Sequence, residues 1–115
     1  VLKEVANRIE SEVRATDVAA RYGGEEFIVL LPNTASNDAR HLAERIRLSV
    51  AASPIELPGG ASTVVTASIG VAEVCPDSDL KDLKSTGDSL VARADVALYA
   101  AKSGGRDRVV VADAA

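Results

Sequence analysis

The sequence is poor in flat, bulky side chains, and this scarcity limits both its core and its ligands. Aromatic residues make up only 3% of the 115 positions, as two tyrosines and one phenylalanine. Hydrophobic residues reach 47%, so the core must be built from alanine, valine, leucine and isoleucine. Proteins that bind single-stranded nucleic acid stack the bases on aromatic side chains, and this sequence therefore disfavours that function.

Cysteine and positive charge are also scarce. Cys75 is the single cysteine, which excludes an internal disulfide and favours a reducing, cytoplasmic compartment. The formal net charge is −4, whereas proteins that bind nucleic acid polymers present a basic surface. The sequence thus argues against a nucleic acid polymer as a partner. A small phosphorylated ligand stays possible, because a few local cations and a metal ion suffice to bind it.

Long apolar runs are missing as well. No stretch approaches the roughly 20 apolar residues that a helix needs to cross a bilayer, and the N-terminus lacks the zones of a signal peptide. We expect any membrane anchor to lie in another part of a parent protein. Without a long polar spacer, residues 1–115 are expected to form a single domain or a large part of one.

Apolar residues at helical spacing predict three helices. The first covers the start of the chain, with no capping residue before Val1, and is expected to end at Thr16 and Asp17. The second is predicted over residues 36–52 and the third over residues 88–102. Gly104-Gly105 should end the third helix in the left-handed conformation.

Short apolar runs predict the strands, and the run over residues 63–74 is rich in β-branched residues. They cover residues 18–22, 27–31, 63–74 and 108–112, with a short strand at 55–57 and a polar turn over 76–86. The resulting order, α-ββ-α-β-α-β, predicts an α+β fold in which helices flank a mainly antiparallel sheet.

The most informative stretch joins the first two strands and reads Arg21-Tyr22-Gly23-Gly24-Glu25-Glu26-Phe27. Gly-Gly between two strands predicts a hairpin, because glycine readily takes positive φ. The two adjacent carboxylates repel each other, and Mg²⁺ bound together with substrate phosphates would compensate their charge. On the residues alone, a solvent-exposed hairpin with two surface glutamates is an equal alternative.

This stretch resembles the signature of the GGDEF family in its GGEEF form. The resemblance continues in the same order along most of the chain, in residues 28–32, 42–47, 67–72, 94–95, 99–102 and 105–108. It implies a fold of the nucleotide-cyclase palm type, which is ferredoxin-like, with Phe27 directed into the core.

The resemblance also implies diguanylate cyclase activity. In that reaction two GTP-loaded domains of a homodimer face each other, and each 3′-hydroxyl attacks the α-phosphate of the other nucleotide to give cyclic di-GMP and pyrophosphate. Glu25 and Glu26 are implied as catalytic carboxylates that bind Mg²⁺ or Mn²⁺. Gly23 and Gly24 would let the nucleotide come close to the backbone.

Two cations near the end of the third helix are implied as ligands of the terminal phosphates of GTP. They are Lys102 and Arg106, on either side of Gly104-Gly105. The alternative is that both only stabilise the C-terminus of the helix, where positive charge is favourable.

Arg14-Ala15-Thr16-Asp17 resembles the family's RxxD inhibitory site, which binds the product. Arg14 would contact a guanine or a phosphate through its planar fork, Asp17 would accept guanine N–H bonds, and Arg45 matches the second product-binding arginine. His41 lies one turn before Arg45 on the same face. The alternatives are a local ion pair worth under about 1 kcal/mol and a surface histidine without a role.

Part of the family's pattern matches no residue of this sequence. It comprises a first strand with a metal-binding aspartate, and the asparagine and aspartate that recognise guanine. We therefore expect residues 1–115 to be a partial GGDEF domain, with the first strand absent, that makes no cyclic di-GMP alone. The parent protein is expected to carry a sensory or receiver domain. The alternative function is a catalytically incomplete module that binds cyclic di-GMP or dimerises.

In the family's fold, the first strand lies between the strand at 27–31 and the one around 66–71. Unpaired strand edges recruit other strands. We therefore expect these two strands either to pair directly or to accept a segment from a neighbouring copy.

Overall fold

The structure is a computed structural model that describes residues 1–74 and 83–112. Its helices are α1 (Leu2–Glu10), α2 (Ser36–Ala51) and α3 (Leu83–Ser103). Its strands are β1 (Val18–Arg21), β2 (Phe27–Leu30), β3 (Ile55–Glu56), β4 (Ser62–Thr63), β5 (Ile69–Val71) and β6 (Val109–Val111). The α+β class is therefore confirmed. Within the described ranges, no helix is long and apolar enough to span a membrane.

The strands of the described residues form three separate ladders of two strands each. β1 pairs with β2 and β3 with β4, both antiparallel, whereas β5 runs parallel to β6. The expected direct pairing of the 27–31 strand with the 66–71 strand is wrong, because β2 and β5 belong to different ladders. Packing against the helices holds each ladder in place, so the two edges do not need to meet. The exchange of a segment with a neighbouring copy stays a prediction.

The long strand predicted over 63–74 is wrong in its middle. β-branched residues favour an extended chain, but a strand also needs a neighbour with which to pair. Ser62–Thr63 pair with β3 and Ile69–Val71 pair with β6, while residues 64–68 between them belong to no ladder.

α3 begins at Leu83, five residues before its predicted start, so the predicted turn is wrong for residues 83–86. This part of the helix is polar and contains Gly87, so its sequence does not predict a helix, because glycine has low helix propensity. Contacts with β5 and β6 stabilise α3 further along, where Ala94 and Leu98 meet Gly70. The rest of the predicted turn, together with Cys75, which the sequence suggests is a small apolar filler, lies outside the described residues.

α1 ends at Glu10, well before the predicted end at residues 16–17. The segment after it forms a turn of its own: the Arg14 N–H donates to the Asp17 carboxylate at 2.8 Å, and the Asp17 N–H donates to the Arg14 carbonyl at 3.0 Å. A short polar side chain that bonds to nearby backbone competes with helix formation. The Arg-x-x-Asp pattern therefore directs the chain away from α1 toward β1.

The main core lies where α1 and α2 meet the first hairpin, and it is aliphatic, as the composition predicts. Phe27 packs at its margin, half-buried. The buried members are Val5, Ile9, Leu42, Ile46, Val50 and Ile55. A smaller cluster of Ala39, Ala43 and Val71 joins α2 to β5.

α3 and β5 approach each other so closely that backbone meets backbone. A Cβ atom on Gly70 would overlap the Ala94 carbonyl oxygen and the Leu98 backbone nitrogen. Backbone atoms of a packed helix cannot move aside as the end of a flexible side chain can. Position 70 therefore needs glycine for space, and the height of α3 above the β5–β6 ladder depends on it.

Side chains from distant segments cap both ends of α2. At its start, the Ser36 N–H and hydroxyl donate to Glu73 Oε1 at 2.7 and 2.6 Å. At its end, Arg8 Nη1 donates to the carbonyls of Val50 and Ser53 at 2.8 and 2.7 Å. The Ser36 hydroxyl, and then its N–H, hold the pKa of the Glu73 carboxyl below its ordinary value. Both caps place charge where it complements the helix dipole.

Replacing Gly70 with alanine should lower the free energy of unfolding by about 3 kcal/mol or more, because overpacking against fixed backbone is poorly tolerated. Urea unfolding of the 115-residue chain measures this change. Gly87→Ala is the matched control: it lies in α3 with open space around the added methyl group, and it should raise stability by about 0.5–1 kcal/mol. Equal effects of the two substitutions would refute the close approach at Gly70.

Replacing Glu73 with glutamine should lower the melting temperature near neutral pH and have little effect in acid. A carboxyl whose pKa is lowered by folding stabilises the protein above its unfolded pKa, and this contribution is lost as the pH falls through the folded pKa. The difference between wild type and Glu73→Gln should therefore be largest near neutral pH and disappear only after the pH has fallen through the lowered pKa of Glu73. Thermal melts across this range measure it, with the exposed Glu56→Gln as control. A difference independent of pH would contradict the charged cap.

Candidate functional site

The predicted hairpin is present, and its two carboxylates lie in the loop. Arg21 pairs with Phe27, so residues 22–26 form the connection, closed by N–H donation from Tyr22 to the Glu26 carbonyl at 2.8 Å. Arg21 also stabilises the loop, because its Nη2 donates to the Gly24 carbonyl at 2.6 Å.

Positive φ was expected at the two glycines of the hairpin, and this expectation is wrong. The positive-φ glycines of the described residues are Gly59, Gly60 and Gly105, so Gly23 and Gly24 keep an ordinary backbone conformation. A loop of this length closes without a left-handed residue at either position. Their common property is open space: a Cβ on Gly24 would meet nothing within 4 Å, and one on Gly23 only the Glu26 Cβ at 3.9 Å.

The second glutamate of the hairpin meets a cation of the third helix. Glu26 Oε1 lies 3.8 Å from Lys102 Nζ, with both side chains partly exposed, while Glu25 is exposed. An exposed ion pair of this length stabilises the fold by no more than about 1 kcal/mol. The ion pair matters because of where it lies. It joins a predicted metal-binding carboxylate to a predicted phosphate ligand that is 76 positions away in the sequence.

The donor set at this hairpin restricts the kind of metal it could hold. Across residues 1–74 and 83–112, no group of three or more histidine, cysteine, aspartate or glutamate side chains could hold a metal ion. Two adjacent carboxylates suit Mg²⁺, which takes one or two carboxylates and completes its shell with phosphates and water. Glu25 and Glu26 therefore fit a metal that arrives with a phosphorylated ligand, and Mn²⁺ accepts the same oxygen donors.

The loop after α3 places Arg106 beside the turn that carries Lys102. The Arg106 N–H donates to the Ala101 carbonyl at 2.9 Å, and the Arg106 side chain is exposed. The left-handed stop is confirmed at Gly105, with φ of 118°. Gly104 does not share it, and positive φ continues instead through Arg106 and Asp107.

An open cavity of about 250 Å³ lies between α1 and the hairpin. Its wall combines aliphatic, charged and aromatic groups. They include Leu2, Lys3, Ala6, Glu10, Arg21 and Phe27. The cavity therefore adjoins the loop that holds the two carboxylates.

Arg14 and Asp17 form the ion pair that the sequence left as an alternative. Arg14 Nη2 donates to Asp17 Oδ1 at 2.9 Å and to Thr34 Oγ1 at 2.7 Å, while its Nε contacts both carboxylate oxygens of Asp17. The Asp17 side chain is 0% exposed. The hydrogen bond from Arg14 lowers the pKa of Asp17, and the same bond raises that of Arg14. A guanine can therefore reach the Asp17 oxygens only if Arg14 moves.

The other two residues of the predicted product site differ in their surroundings. Arg45 Nη2 donates to the Glu12 carbonyl at 3.2 Å, and its Nε lies 3.5 Å from Glu12 Oε1. Arg45 thus lies against the segment that leads into Arg14. His41 is exposed, and its Nε2 lies 3.3 Å from Arg40 Nη2, so its described contact is with a residue outside the predicted site.

No sequence pattern predicted the ion pair between Arg47 and Asp107, whose Nη1 and Oδ1 atoms are 3.0 Å apart. Both residues fall within stretches that resemble the family, but no local pattern joins them because they are 60 residues apart. Spacing could have revealed only the other partner of Arg47, since Glu44 precedes it by three positions on α2.

Comparison with known proteins agrees with the sequence motifs. The family model for "Diguanylate cyclase, GGDEF domain" matches residues 1–108. Response regulator PleD of Caulobacter vibrioides is 46% identical over 111 residues, which are 96% of this chain and 23% of PleD. Diguanylate cyclase A of Treponema denticola is 50% identical over 111 residues, 96% of this chain and 28% of that protein. The chain thus spans about a quarter of the length of these curated relatives.

A solved structure agrees in fold as well as in sequence. The GGDEF domain of DgcB from Caulobacter crescentus, in complex with c-di-GMP, has a TM-score of 0.83 and 35% identity to this chain. The match covers 96% of this chain and 61% of that one. The motif order, the family model and this shared fold agree, and the chain belongs to the GGDEF domain family.

Proposed function

We propose that this chain contributes to a diguanylate cyclase, which condenses two GTP into cyclic di-GMP and pyrophosphate in the full-length protein. One observation carries the proposal: the approach of Glu26 to Lys102. It brings a carboxylate that can bind a metal next to a cation that can bind phosphate, which are the two kinds of group that phosphoryl transfer needs.

Each residue of this place has a proposed role. Glu25 and Glu26 hold Mg²⁺ or Mn²⁺, which when bound neutralises phosphate charge and lowers the pKa of the attacking hydroxyl. Lys102 and the neighbouring Arg106 bind the terminal phosphates of GTP as cations. The open surface over Gly24 leaves room for the nucleotide to approach the backbone.

The ligand would change the pairing of Lys102. In the structure Lys102 offsets part of the charge on the hairpin carboxylates. With a metal ion held by Glu25 and Glu26, the charge of Glu26 would be compensated without Lys102. Lys102 would then be available to the phosphates.

The full-length protein is proposed to act as a homodimer, because each domain supplies one GTP, and to couple to a sensory or receiver domain. The presence of a regulatory protein, response regulator PleD, among the relatives supports the second part. The prediction that residues 1–115 alone form no cyclic di-GMP is open to the same product assay.

We further propose that cyclic di-GMP binds at Arg14, Asp17 and Arg45 and inhibits the enzyme, with His41 at the edge of the site. The GGDEF domain of DgcB in complex with c-di-GMP supports a product site in this family. In this chain the ligand competes with an internal ion pair, since Arg14 holds the buried carboxylate of Asp17. Binding therefore requires Arg14 to turn part of its fork toward the ligand.

Glu25→Gln in the full-length protein should lower the rate of cyclic di-GMP formation at least about a hundredfold, because it removes a negative charge from the proposed metal site. Glu25 is exposed, so the melting temperature should not change. Chromatography of the products measures the rate, and the exposed Glu56→Gln is the control. Product formation near the wild-type rate would exclude Glu25 from the metal site.

Arg14→Ala should weaken cyclic di-GMP binding about tenfold to a hundredfold, as expected for the loss of charge-assisted hydrogen bonds. Arg14→Lys should also weaken it, because lysine keeps the charge for Asp17 but lacks the fork. Titration calorimetry on the full-length protein measures both. The control is Arg40→Ala, an exposed arginine of α2 outside the proposed site. Wild-type affinity in both Arg14 variants would refute the assignment.

A further inference from the structure

The loop after α3 holds two consecutive non-glycine residues in the left-handed region. Arg106 has φ of 63° and Asp107 has φ of 46°. A side chain crowds the backbone in this region, and such residues persist only where their surroundings fix them. The conformation of this loop therefore depends on contacts from other elements.

Three contacts from other elements supply that support, beside the bond of the Arg106 N–H to the Ala101 carbonyl of α3. Arg47 Nη1 donates to Asp107 Oδ1 at 3.0 Å, and the Asp107 N–H donates to Ser68 Oγ at 3.2 Å. The Ile69 N–H donates to the Arg108 carbonyl at 3.0 Å. These contacts hold the residues that follow Arg106 and leave its guanidinium group exposed.

The guanidinium group of Arg47 is itself fixed on α2. Its Nη2 and Nε donate to Glu44 Oε2 at 2.8 and 3.2 Å, and the side chain is only 21% exposed. The hydrogen bonds that Arg47 donates to Glu44, and then to Asp107, raise its pKa above the ordinary value. A planar fork can bind one carboxylate with one edge and present another N–H elsewhere, which an ammonium group cannot do with the same fixed geometry. Arg47 thus connects the rigid helix to the strained loop.

We propose that Arg47 is a positioning residue for GTP: its contact with Asp107 fixes the loop so that Arg106 is presented to the terminal phosphates. The inference rests on the proposed function, which assigns Arg106 to those phosphates. Arg47 acts through Asp107 and does not contact the ligand. A purely structural ion pair would affect unfolding, whereas a positioning pair affects how tightly the triphosphate is bound.

The test uses the full-length protein and a non-hydrolysable GTP analogue with Mg²⁺ in titration calorimetry. Arg47→Lys and Asp107→Asn should each weaken binding about fivefold to twentyfold, and the KM for GTP should rise similarly while kcat changes less than about threefold. Asparagine tolerates the left-handed region, so Asp107→Asn removes charge without adding strain. Arg40→Lys is the matched control, because it makes the same replacement at an exposed arginine of α2 and should change the affinity less than about twofold.

A double-mutant cycle shows whether Arg47 acts through Arg106. In an Arg106→Ala background, Arg47→Lys should weaken binding no further, since there is no guanidinium group left to position. Additive losses, or wild-type affinity in both Arg47→Lys and Asp107→Asn, would overturn the inference. A wild-type protein that binds the analogue but forms no cyclic di-GMP would overturn the proposed function instead, and the binding cycle would still decide the role of Arg47.

Discussion

The close approach of α3 to β5 at Gly70 fixes the distances on which the rest of the structure depends. A helix that lies directly on strand backbone has no layer of side chains that could compress or shift. The position of its last turn is then set by the sheet, and that turn carries Lys102 and leads into Arg106. Lys102 lies near Glu26 because of this geometry and not because their ion pair is strong. An exposed ion pair cannot hold two elements together.

The residues of the candidate site therefore come from elements that are rigid for different reasons. The pairing of β1 with β2 and the hydrogen bond from Arg21 to the Gly24 carbonyl fix the hairpin. The end of α3 is fixed by the absence of a side chain at position 70, and the loop beyond it is fixed by ion pairing to α2. Charge alone would not give this arrangement, since the chain is acidic overall. The fold nevertheless brings two cations, Lys102 and Arg106, together at the end of α3.

Local patterns in the sequence predicted the helices and turns that are determined by residues close together in the chain. Helical spacing located α2 almost to the residue, and Gly-Gly between two predicted strands located the hairpin. The predictions failed where distant parts of the chain decide: residues 64–68 have the composition of a strand but belong to no ladder. The first residues of α3 have a polar composition that did not predict a helix. At the candidate site, the residue types of Glu26 and Lys102 were predicted, but their proximity and the partner of Arg47 arise only in the folded chain.

Both ends of α2 resist fraying, because side chains from other segments cap them. Glu73 binds its first turn and Arg8 its last. Arg45 and Arg47 are two positions apart, which separates them by about 200° around the helix axis. They therefore meet Glu12 and Asp107 on nearly opposite sides of α2. The segment before β1 and the loop after α3 thus take their positions from the same helix.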